Sequence, residues 1–145
     1  MGLESAVYSL VPDRNADSVE RGLEQLGAVP TDKPSPLSFP QWVLRDQGAL
    51  IDLMAVTPKD GSRAALSVRV AVSNPPSVEG ALRILLVQLL DHFGGKVRDW
   101  QTHRSYERLD DAAWDEIRGA FLEKKSVFRR YRSELEAPVS GDEVS

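Results

Sequence analysis

Period-two alternation opens the chain. In "SAVYSLV", residues 5–11, apolar and small polar positions alternate as in a half-buried strand, and "PDRN" closes it with turn-forming residues. The period then lengthens. Val19, Leu23 and Leu26 fall on one helical face behind Asp17, where Glu20 three residues on completes a capping box and Gly27 follows as terminator. Prolines at 30, 34, 36 and 40 fix φ and remove donors, so residues 28–40 read as an extended loop.

"QWVLRDQGALIDLMAVTP", starting at Gln41, is strand-like on both sides of Gln47-Gly48. Residues 41–57 are either a hairpin or one long strand kinked at the glycine. After the turn "KDGS", the run "AALSVRVAVS" puts Leu66, Val68, Val70 and Val72 on one face. "NPPS" ends that strand, and Ser77 is placed to cap the apolar helix "VEGALRILLVQLLDHF", which Gly94-Gly95 closes. "KVRDWQT" reads as a returning strand. Asp110 and Asp111 then start a long helix in which Trp114, Ile117, Phe121, Phe128, Tyr131 and Leu135 recur at three- and four-residue steps.

The element order β-α-β-β-α-β-α predicts an α+β fold. Its core is an antiparallel sheet of four or five strands in the split β-α-β order of ferredoxin-like proteins, with a long C-terminal helix added. Residues 1–136 form the single domain, and 137–145 are a flexible acidic tail. The strand around Asp52 is apolar on both sides: Ile51, Leu53 and Ala55 face one way, and Leu50, Met54 and Val56 the other. A sheet face open to water is normally polar. The second face therefore needs a cover, supplied by the C-terminal helix, a partner or a second copy in a homodimer.

Composition narrows the function. With no cysteine among 145 residues, disulfides, thiolate zinc sites and thiol nucleophiles are excluded. The longest apolar run, "ILLVQLL", is too short to span a bilayer and the N-terminus lacks a signal pattern, so a cytoplasmic protein with no membrane partner is expected. A net charge of −4 argues against nucleic acid and leaves a basic protein partner open.

The densest chemistry lies in "GGKVRDWQTHRSYERLDDAAW", residues 94–114. His103 with Asp99 or Glu107 is a candidate base–orienter pair, beside Arg104 and Tyr106. The plainer reading is a surface strand with Trp100 tucked into the core. His92 fits the C-terminal end of its helix, where an imidazolium meets the last carbonyls. Two histidines eleven apart make a poor metal set, and Gly94-Gly95 end a helix rather than open one, the wrong end for a phosphate. "KKSVFRRYR" reads as a solvated basic face, and Asp52 with Arg69 as a cross-strand ion pair. No cofactor or metal is expected, and binding explains the chain better than catalysis.

The split β-α-β order, "SVRVAVSNPPSVEGALRILLVQLL", "GGKVRDWQTHRSY" and the Trp-led terminal helix together resemble the small cytoplasmic immunity proteins that neutralise bacterial polymorphic or contact-delivered toxins. The resemblance implies a compact, non-catalytic protein that covers a toxin's active site or locks its fold. On that reading Trp42, Asp52, Trp100, His103 and Tyr106 are the candidate contact residues. A secretion chaperone holding a secreted client and a small-molecule-binding regulatory domain are the alternatives.

Overall fold

Gln47 and Gly48, both with positive φ (50° and 85°), turn the chain back on itself, so residues 41–56 form a tight hairpin rather than one kinked strand. In the computed structural model, which describes residues 4–13, 19–31, 40–56 and 65–136 (backbone only for 133–136), ten elements follow one another. They are β1 (Ser5–Leu10), α1 (Val19–Gln25), β2 (Val29–Pro30), β3 (Gln41–Asp46), β4 (Ala49–Val56), β5 (Ala65–Ala71), α2 (Val78–Phe93), β6 (Val97–Asp99), β7 (Arg104–Tyr106) and α3 (Asp111–Glu136). The capping box at Asp17, most of the proline-rich loop and the tail lie outside the described residues.

The fold is α+β. All strand pairings are antiparallel, and the sheet runs β2-β3-β4-β5-β1-β6-β7. Among the described residues, seven strands replace the expected four or five, for three local reasons. The Gln47-Gly48 turn doubles the middle strand. Val29 and Pro30, expected in the loop, pair with Val43 and Trp42 as a short edge. The segment after Gly95 folds into a hairpin, β6–β7, instead of one strand. Four strands rather than two therefore separate α1 from α2.

Alternation divides the sheet into two faces. Ala6, Tyr8 and Leu10 of β1, Ile51 and Leu53 of β4, and Leu66, Val68 and Val70 of β5 are buried on one side. There they join one apolar cluster with Leu82, Leu85, Leu86, Leu89 and Phe93 of α2 and Trp114, Ile117 and Phe121 of α3. Burial of this cluster is the main force ordering the layers, at about 25 cal/mol per Å² of apolar surface. Helix α1 adds Val19 and Leu23 to the same side and docks on α2 where Gly22 meets the Phe93 ring.

Asp110 starts α3 as proposed from the sequence: its carboxylate accepts the Ala113 N–H at 2.8 Å. Ser77 does not cap α2. Its hydroxyl donates instead to the Gln47 carbonyl at 3.2 Å, pinning the β3–β4 turn to the helix start. Helix α3 lies beside α2, linked to it by Arg118–Glu79 and Arg83–Asp111, each at 2.6 Å. It thus shares the face α2 covers. The expectation that α3 covers the second face is corrected: its apolar stripe is spent on the first.

Candidate protein-binding face

With the three described helices on one side, the opposite face of the sheet carries no described helix or strand. Its residues follow directly from the pleat: Ser5, Val7 and Ser9 of β1, Gln41, Val43 and Arg45 of β3, Leu50, Asp52, Met54 and Val56 of β4, Ser67 and Arg69 of β5, and Arg98 of β6. Leu50 is 39% exposed and Val29, at the edge, 62%. A groove of about 760 Å³ lies over β2 to β5, walled by Val43, Arg45, Leu50, Asp52, Met54 and Arg69.

Asp52 and Arg69 are register partners, as expected, yet no ion pair joins them among the described contacts. Both are exposed. Strand register sets them in one row across the sheet, Val29–Val43–Asp52–Arg69–Val7, which ends at Trp100, whose N–H donates to the Val7 carbonyl at 3.1 Å.

Trp100 is not in the core. It is 43% exposed in the β6–β7 turn, while its neighbour Asp99 is fully buried, the reverse of the expected facing. The inversion follows from register: Asp99 opposes Tyr8, a core-facing position, so the next residue must face out. The Trp100 indole is nonetheless held. Its Nε1–H donates to Ser9 Oγ at 2.8 Å, the Arg98 guanidinium stacks 4.5 Å from its ring centroid, and the His103 ring meets it edge-on at 6.0 Å. Arg98 Nη2 also lies 3.4 Å from His103 Nδ1, where the guanidinium donates and the imidazole accepts.

The turn beneath this cluster is rigidly tied. His103 adopts a left-handed backbone (φ 63°), and its N–H donates to the Asp99 carbonyl at 2.7 Å. Gln101 clamps Val7 through both its amide atoms and donates from its main chain to Asp99 Oδ1. The Asp99 carboxylate is thereby turned to Gln101 and not to the His103 ring, so this base–orienter pair is not assembled. Burial raises the Asp99 carboxyl above the ordinary carboxylate range, against the opposing effect of the Gln101 hydrogen bonds.

Trp42 and Tyr106 belong to the other face. Trp42 is 4% exposed within the core cluster. Tyr106 donates its hydroxyl to Glu116 of α3 at 2.8 Å, and Arg104 pairs with the same carboxylate at 3.1 Å. Burial, then this hydrogen bond, pushes the Tyr106 phenol up to about 12, while Tyr106 and Arg104 hold Glu116 below its usual value.

No protein-family model, curated protein or solved structure matches this chain. Of the five candidate contact residues, the fold gathers Trp100 and His103 into one cluster and sets Asp52 in the same cross-strand row as Trp100. Arg98, Val43 and Ser9, which complete the face, carry no motif. Only their positions relative to a correct strand register reveal them.

Proposed function

We infer that this chain is a non-catalytic protein-binding module that engages its partner through the open sheet face. The further reading is a cytoplasmic immunity protein whose partner is a cognate bacterial toxin. One observation carries the inference: a wide sheet face that presents Val43, Leu50 and Met54 has a half-exposed tryptophan fixed at its rim. Tryptophan and arginine held in place before binding are typical anchors of an interface, because little side-chain entropy is left to lose. The sheet order β6-β1-β5-β4 supports a ferredoxin-like centre, to which β2, β3 and β7 add edges.

Capture from native lysate tests the proposal, with wild type and a Met54→Arg variant as parallel baits. A stoichiometric partner held by wild type and lost by the variant, whose toxicity disappears on co-expression, is the expected result. A partner held equally by both would rule out the open face. The groove over β2–β5 favours one second reading, a chaperone holding an extended secreted segment. A harmless secreted partner in the same capture would select it.

A further inference from the structure

The row across the open face reads apolar, apolar, acid, base, apolar, apolar: Val29, Val43, Asp52, Arg69, Val7, Trp100. This order is symmetric about the line between β4 and β5, apart from the opposite signs of its central pair. A two-fold axis along that line, in the plane of contact, would bring the face of a second copy over the first. Asp52 would then lie over Arg69 of the second copy and Arg69 over its Asp52. Val43 would lie over Val7, and Val29 over Trp100.

The neighbouring rows obey the same operation. Leu50 would meet Ala71, Val56 would meet Ala65, and Gln41 would meet Ser9, so apolar lies on apolar and polar on polar. Met54 over Ser67 is the one mixed crossing among these.

The unpaired state of Asp52 and Arg69 fits this arrangement. Side by side on adjacent strands, both project from the sheet, and no contact within the described chain uses either charge. Packed sheets stand about 10 Å apart, a gap that an extended arginine and a facing aspartate can close together. An isologous contact is self-complementary in this way, with residue i on j and j on i.

We propose that the open sheet face is occupied by a second copy of this chain, as a two-fold dimer in which Asp52 and Arg69 pair across the interface. This rests on reading the face as a protein-binding surface and names its occupant in the absence of a cognate partner. Charged pairs inside an apolar contact fix register and partner choice more than they add affinity. The dimer therefore hides the apolar positions and yields them to a partner that binds the face more tightly.

Light scattering and sedimentation of the full chain over a range of concentrations test the dimer. Wild type is expected to dimerise. Asp52→Arg alone, or Arg69→Asp alone, sets like charges over each other at both crossings and weakens the dimer by roughly 100-fold or more. Both positions are exposed, so folding should survive, and the double variant carrying both reversals should dimerise again. The decisive arm mixes the two single variants in equal amounts, where every crossing becomes opposite in sign and a heterodimer forms.

A wild type that stays monomeric overturns the proposal. So does a dimer that neither single reversal weakens, which places the contact elsewhere, or a mixture that fails to associate. In each case capture of a cognate partner by wild type and its loss by Met54→Arg still report on the binding-face reading by itself.

Discussion

Asp99 stands directly opposite Tyr8 across the β1–β6 pairing, and both residues are fully buried. Oδ1 of Asp99 is satisfied by Gln101, whereas Oδ2 and the Tyr8 hydroxyl have no hydrogen-bond partner among the described residues. Burial raises both acids, and the proximity of Asp99 raises Tyr8 further. A buried carboxylate with a vacant oxygen is a cost carried by the β6–β7 turn, which in turn positions Trp100.

That cost gives a pH dependence of definite sign. Because the folded-state pKa of Asp99 lies above its unfolded value, its protonation favours the fold. The contribution is complete below the unfolded carboxylate pKa, near 4, and is lost as pH rises through the folded value. Asp99→Asn keeps the Oδ1 acceptor for Gln101 and removes the charge. In urea unfolding the variant should match or exceed wild type at neutral pH, by about 1 kcal/mol, with the advantage vanishing in acid. A variant less stable than wild type at neutral pH would mean that the ionised form is the one the fold selects.

Gly22 allows α1 to approach α2. A β-carbon there would stand 2.5 Å from Cζ of Phe93, closer than any real contact. Since Phe93 is itself only 1% exposed, its ring has little room to move. Gly22→Ala should destabilise the protein by about 1–3 kcal/mol. Phe93→Leu in the same chain should recover part of the loss, and thermal melts of the four members of the cycle would measure the coupling. Additive losses would mean that the two residues do not press on one another.

The tryptophans at 42 and 100 should separate stability from binding. Trp42→Ala empties a core site and should cost about 3–5 kcal/mol. Trp100→Ala removes a half-exposed ring and should leave the melting temperature nearly unchanged while weakening partner capture. Equal effects of the two substitutions on stability would contradict the two-faced sheet.

Asp110 offers a cleaner test of local structure. Asp110→Ala removes the acceptor for the Ala113 N–H and should cost about 1 kcal/mol, whereas Asp110→Asn should retain most of it. Chemical denaturation of the two variants distinguishes a cap from a mere surface charge.

Much of this architecture was legible along the chain because local periods report local geometry. The alternation of Leu66, Val68 and Val70 and the three-four stripe from Trp114 to Phe121 gave the core faces of β5 and α3 correctly. Strand number was less legible, since Gln47-Gly48 reads equally as a turn or a bulge, and two residues, Val29 and Pro30, make a strand only because β3 lies beside them. Alternation along the segment puts Trp100 on the wrong side, because the facing is set by the pairing of Asp99 with Tyr8, which spacing alone does not reveal. Asp52 and Arg69 are cross-strand neighbours as expected, but the ion pair expected between them is not formed among the described contacts. Their lack of a bond was not legible, because it depends on side-chain reach above the sheet rather than on spacing.

The claim that the open sheet face binds protein is tested most directly by paired capture with substitutions on opposite sides of the molecule. Met54→Arg alters the open face, and Ile84→Asp places a charge at a position 57% exposed on α2, away from that face. The stoichiometric partner of wild type is expected to be lost by Met54→Arg and retained by Ile84→Asp. Retention by Met54→Arg with loss by Ile84→Asp would move the binding surface to the helices and contradict it.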